Sequence, residues 1–278
     1  MRGFVTIVHL TLHEAARRRI LLAALLCGAA FLILYGVGFH FIERDLQRHG
    51  PVSLLQRAMM LNFFVLAGLF AVDFLCVVTA VVLPVDSVSG EIASGVMQTL
   101  AAKPIRRADI LLGKWAAHLI LVLGYLLVLA GGVLVVARVM GRFTPPQVGP
   151  GLALMGLECA LLVTLSIAGG TRFTTITNAI VVLGLHGLAF IGNWIEQIGA
   201  FADNEAARNV GTIASLMMPS ESLWQLAASL MQPPVMRDLH LTPFSPASTP
   251  SGAMVAWAVA YLLVVLVAGL RWFRRRPL

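Results

Sequence analysis

Six stretches of the chain are apolar throughout, with neither the alternation of a half-buried strand nor the single stripe of a soluble helix. They cover about 20–40, 60–84, 110–137, 149–170, 177–197 and 252–271. Hydrocarbon about 30 Å thick is crossed by roughly 20 helical residues, and each stretch reaches that length. A β-barrel would instead show short alternating segments, so the pattern predicts six membrane-crossing helices. Before the first stretch, Phe4, Val5, Val8 and Leu12 recur at near-helical spacing, with His9, His13 and Glu14 elsewhere. That predicts an amphipathic interfacial helix over 1–18. The first stretch is too long for the apolar part of a cleavable leader, and bulky Leu26 before Cys27 spoils a lipoprotein cleavage site. It reads as a retained span.

Between the spans, 85–109 is a polar connection, 171–176 a tight turn and 198–251 the longest link. The last carries a predicted helix over about 221–231 and a proline-rich stretch from Pro243 to Pro250. The whole chain, 1–278, reads as one all-α transmembrane domain.

Composition narrows the class further. Hydrophobic residues make up 59% of the chain and charged residues 12%, against about 25% charged in soluble domains. No single soluble core could hide that much apolar surface, which leaves a polytopic membrane protein. The net charge of +7 comes from basic residues that flank the spans. Thirteen of the 20 Lys and Arg residues fall on the side that carries both termini, with Arg274, Arg275 and Arg276 as the densest group. The positive-inside rule then places the termini and 85–109 on the cytoplasmic side of the membrane. Because orientation accounts for the charge, no nucleic-acid partner is expected. Cys27, Cys76 and Cys159 all lie within apolar stretches. They read as buried hydrophobes, and no metal-ligand spacing occurs.

Catalytic motifs are missing. Gly113-Lys114 is followed by Trp115, so it opens no phosphate-binding loop, and no HExxH, GxSxG or GxGxxG occurs in a fitting context. The chain is expected to be no enzyme by itself and to bind no cofactor. Any energy for transport would come from another subunit.

The 85–109 loop is the specific part. Asp86 and Glu91 stand at the start of a predicted short helix, where carboxylates favour the positive dipole end. Ile92, Val96, Met97 and Leu100 supply an apolar face that a groove on a soluble partner could bury. In order, Glu91, Ser94-Gly95, Leu100, Pro104, Arg106 or Arg107, and Gly113-Lys114 closely resemble the second-to-third helix loop of ABC-2 type ABC-transporter permeases. The surface N-terminal helix, six spans, long outer segment and basic C-terminus are similar to that family too. So is Met218-Pro219-Ser220-Glu221-Ser222-Leu223-Trp224, which resembles a proline-anchored helix start in the permease of nitrous-oxide-reductase maturation.

The resemblance implies a cytoplasmic coupling helix that docks an ATP-binding subunit, with ATP and Mg bound in that partner. Asp86, Glu91, Ser94, Gly95, Met97, Leu100, Pro104, Arg106 and Arg107 would serve the docking. It further implies two ATP-binding subunits and two permease copies, or one copy with a related permease. The cargo would leave outward, and the sparsely charged spans suit an amphiphilic or hydrophobic one. Alternative readings are the nitrous-oxide-reductase maturation permease, moving a sulfur or copper-related species, and a membrane scaffold or signalling subunit that moves nothing.

Two further groups follow from the residues. Asp73, His118, Glu158 and His186 are ionisable residues within spans, where such groups are costly and turn inward. Their positions predict one polar layer, paired Asp73 with His118 and Glu158 with His186. In the outer segment, Leu223, Trp224, Ala227 and Leu230 trace one helical stripe that would form an outer gate or re-entrant cap, with Gln225 and Ser229 accessible.

Overall fold

The computed structural model describes residues 2–48, 53–101, 105–238 and 249–276. They form α1 (Arg2–Arg17), α2 (Arg19–Arg48), α3 (Leu54–Val82), α4 (Val85–Ala93), α5 (Val96–Ala101), α6 (Arg107–Gly141), α7 (Val148–Gly170), α8 (Thr175–Phe201), α9 (Glu205–Met217), α10 (Ser220–Leu230), α11 (Pro234–Asp238) and α12 (Gly252–Arg275). No strand occurs among the described residues. Six helical segments are long and apolar enough to cross a membrane: Arg19–Asp45, Leu55–Ala93, Arg107–Gly141, Val148–Gly170, Thr175–Ala200 and Gly252–Arg275. This is a helical, multi-pass membrane protein, with both termini at one end of the bundle, here called the terminal end.

The core lies along α3, α6 and α7. Leu66, Leu69, Val72, Leu126, Leu129, Met155 and Leu161 are all fully buried there. Around it, α2, α8 and α12 present large apolar side chains outward, among them Leu34, Ile180 and Val264. Water would not tolerate so much exposed apolar surface, whereas lipid does.

α1 lies against the terminal end of α6. Ile7, Thr11 and Ala15 form its buried face. Gly113 admits it, because a Cβ there would run into the Ile7 side chain. This buried face is distinct from the apolar stripe of Phe4, Val5, Val8 and Leu12, in which Val5 is exposed. A bare α6 backbone and small Ala15 permit a close approach that hydrophobicity alone does not signal.

The long link before α12 folds back on itself. α9 packs along α8, and a Cβ at Gly192 would meet Ala214 while one at Gly211 would meet Glu196. The Met218–Pro219 break then starts α10, and Ser220 shares a 3.0 Å hydrogen bond with His186. His186 faces Glu158 at 4.0 Å. Glu158 is ten residues into α7, so the tip stands about 15 Å inside the bundle at 1.5 Å per residue. Met218 and Ser220 are buried, which is what broken backbone needs at membrane depth. At the far end, Asn62 Nδ2 donates to the Met231 carbonyl at 2.9 Å and ties the end of α10 to α3. Part of the connection expected outside thus re-enters the bundle. The proline-rich stretch from Pro243 falls largely outside the described residues.

Candidate functional site: an anchored elbow and a buried carboxyl cluster

Pro84 has no N–H to continue the α3 ladder, and the chain breaks there before resuming as α4. Asp86 takes the first turn of α4, but its carboxylate does more than favour the dipole. Oδ1 accepts from Thr175 Oγ1 at 3.0 Å and Oδ2 from Arg18 at 3.4 Å. Ser89 Oγ donates to the Val85 carbonyl and meets Thr175 Oγ1, each at 2.8 Å. Arg18 also holds Glu14 at 2.5 Å. Burial raises the Glu14 carboxyl, but the hydrogen bond and charge of Arg18 outweigh it, leaving Glu14 below its ordinary value. Three hydrogen-bonded groups thus fasten α4 to the start of α8 and to the α1–α2 junction.

Glu91 departs from its expected role. It lies in the last turn of α4, 9% exposed, and pairs with Lys114 of α6, itself 3% exposed. Lys114 also donates to Ser87 Oγ at 3.4 Å. Glu91 is therefore an internal anchor and is not presented at the exposed tip. The reason is Gly95, whose φ of +79° favours glycine and ends one helix before the next begins. The expected continuous apolar face of Ile92, Val96, Met97 and Leu100 is split. Met97 is fully buried and Leu100 half-buried, while Ser94, Val96, Gln98 and Thr99 are exposed at the tip. Arg106 stands at the N-terminal cap of α6 and is exposed. Arg107 turns away from the tip and donates to the carbonyls of Arg274 and Arg276 at 3.2 and 2.7 Å. Pro104 lies outside the described residues.

Of the expected layer, Asp73, Glu158 and His186 come together, with Glu158 and His186 facing each other as expected, and His118 does not join them. Asp73 on α3 and Glu158 on α7 are buried together with Glu221 of α10, close enough for their charges to interact. Glu158 is 0% exposed, and its carboxyl and that of Asp73 come within hydrogen-bonding reach of each other. His186 completes the group from α8. Asn193 Nδ2 donates to Glu221 Oε1 at 2.9 Å, and Gln225 donates in turn to Asn193. Burial pushes the Glu221 carboxyl up to about 7, against the pull of the Asn193 bond.

His118 stands apart. Its Nδ1 donates to the Lys114 carbonyl at 2.8 Å, and its charged neighbours are Lys114, Arg18 and Glu14. α6 is apolar on nearly all sides, so depth along the helix could be counted but the direction of His118 around it could not. Glu221, counted with the outer segment in sequence, was missed as a member of the buried cluster. Its proximity to Asp73 depends on the re-entrant fold of α9 and α10.

The expected gate stripe is deeper than a gate at the mouth. Leu223, Trp224 and Ala227 are buried and Leu230 half-buried, with the Trp224 ring 5.6 Å from Phe70. Ser229, expected to be accessible, is buried, and Gln225 is half-buried. Among the described residues, no group of three or more His, Cys, Asp or Glu has metal-binding geometry.

The profile of the family described as ABC-2 family transporter protein matches residues 7–278. No curated protein matches the sequence.

Proposed function

The chain belongs to the ABC-2 family of transporters, and on that premise we propose that it is the permease subunit of an ATP-driven exporter, docking a separate ATP-binding subunit through the α4–α5 elbow. The terminal end faces the cytoplasm of a bacterial inner membrane, in keeping with its excess of arginine and lysine. Two such bundles, or one with a related permease, pair with two ATP-binding subunits. ATP and Mg belong to those partners. The cargo is amphiphilic or hydrophobic and leaves outward, in keeping with an interior that carries few charges.

One observation carries this reading: the elbow has an anchored base and a bare tip. Its base is held to α6 by Glu91–Lys114 and to α8 by Asp86–Thr175, while Ser94, Val96, Gln98 and Thr99 are exposed. A push on the tip reaches the anchored base through Gly95. It passes to α6 and α8 together, and α8 carries the re-entrant α9–α10 hairpin at its far end.

The test is co-purification of an ATP-binding subunit with the full-length permease. Wild type retains the subunit. Val96→Asp places an unpaired charge on the exposed apolar contact and loses it, with an unchanged elution profile for the permease itself. Gly95→Trp, which forces a side chain onto a left-handed backbone, loses it as well. Full recovery of the subunit by both variants removes the elbow as the docking element.

A further inference from the structure

At the terminal end, a cleft of about 370 Å³ opens between the α7–α8 turn and the last turns of α12. Its lining is Thr171, Arg172, Trp272, Arg275 and Arg276. Hydrogen bonds tie the cleft's walls together. Arg276 donates to the Thr171 carbonyl, and Arg107 holds the Arg274 and Arg276 carbonyls from α6. Arg172 lies over the Trp272 ring, with its guanidinium carbon 5.0 Å from the centroid. Three arginines thus line one space. Among the described residues, none of the three is paired with a carboxylate. Asp86, the acid that approaches the start of α8, is taken by Thr175 and Arg18.

We propose that this cleft binds the phosphate headgroup of an anionic phospholipid. Guanidinium forks match phosphate oxygens in pairs, and three arginines hold more positive charge than the protein itself neutralises. Basic pockets between helices at this level of a membrane are suited to anionic headgroups. The surroundings select a lipid over a soluble phosphate. Val264, Val267, Arg271 and Arg275 are all exposed, and their i, i+3, i+7, i+11 spacing puts them on one face of α12. The apolar half of that stripe gives acyl chains a track that ends at the arginines. Trp272, 39% exposed, is the residue type that settles at the membrane–water boundary. Phe173 and Ile176, beside Arg172 in the chain, are exposed as well.

The experiment titrates the full-length chain in detergent with short-chain phosphatidylglycerol, phosphatidylcholine and inorganic phosphate, reading thermal unfolding and lipid binding by native mass spectrometry. Phosphatidylglycerol is expected to bind and raise the unfolding temperature, with little effect from the other two. Arg172→Gln and Arg275→Gln alter exposed side chains and leave the Arg276–Thr171 tie intact. Each is expected to weaken phosphatidylglycerol binding about fivefold, and the pair about 25-fold, from roughly 1 kcal/mol for each basic residue near an anionic surface. Equal binding of phosphatidylcholine overturns the proposal. Equal stabilisation by inorganic phosphate makes this a soluble-anion site and overturns it too. So does a double variant that keeps its phosphatidylglycerol affinity. A double variant that loses the ATP-binding subunit while keeping the lipid would make the cleft a protein contact instead.

Discussion

Glu91 and Lys114 join α4 to α6 through an ion pair that is almost completely removed from solvent. A charge held in such a place depends on its partner, because neither can recover its hydration without opening the packing around it. The pair therefore fixes the angle at which the elbow leaves the bundle. This gives Glu91 a structural role where the sequence pattern suggested a surface one.

Removing one partner leaves the other buried and uncompensated. Glu91→Ala or Lys114→Met alone is expected to destabilise the protein by about 3–5 kcal/mol, whereas Glu91→Leu with Lys114→Met recovers much of that loss. Thermal unfolding of the purified variants in detergent measures it. Single variants as stable as wild type would show that water reaches the pair.

Asp73 and Glu158 are expected to couple. Asp73→Asn with Glu158→Gln should differ from the sum of the single changes by about 0.5–3 kcal/mol, as for neighbouring groups in one network. Asp73→Asn with His118→Gln should be additive, because His118 faces Lys114 and Arg18 instead. A double-mutant cycle on unfolding temperature checks both, and the reverse pattern would relocate His118.

Glu221 makes stability depend on pH. Burial raises its carboxyl from 4.5 to about 7, so the folded protein holds a proton that the unfolded chain releases more readily. This contribution is complete below about pH 4.5 and is lost as pH rises through about 7. Glu221→Gln is expected to flatten that slope and to unfold at a higher temperature than wild type at pH 8. Identical pH profiles for both proteins would place the Glu221 carboxyl in water.

The α8–α9 hairpin relies on absent side chains. Gly192→Val brings bulk against Ala214, and Gly211→Val against Glu196; each is expected to cost about 1–3 kcal/mol as overpacking. Gly124 has open space around its Cβ position, so Gly124→Ala should leave stability unchanged or slightly raised. Unfolding temperatures of the three variants decide this. Equal effects at all three sites would mean that α9 does not lie against α8.

The chain by itself determined the class, the six crossings and the short helix at Ser220. These depend on local quantities: the length of an apolar stretch, and the proline and serine at a helix start. The match of residues 7–278 to the ABC-2 family agrees with the resemblance carried by the 85–109 loop. Tertiary structure decided which way each polar group faces. A helix apolar on every side carries no stripe to orient it, so Asp73 and His118 could be placed along their helices but not around them. Glu91 could be read as an exposed carboxylate until Gly95 turned the chain and Lys114 met it from α6. Glu221 became part of a buried cluster only because α9 folds back along α8, an approach set by Gly192, Gly199 and Gly211 lying against Ala214, Ala207 and Glu196. Close packing of that kind depends on pairs of residues distant in the chain, and local hydrophobicity holds no record of such pairs.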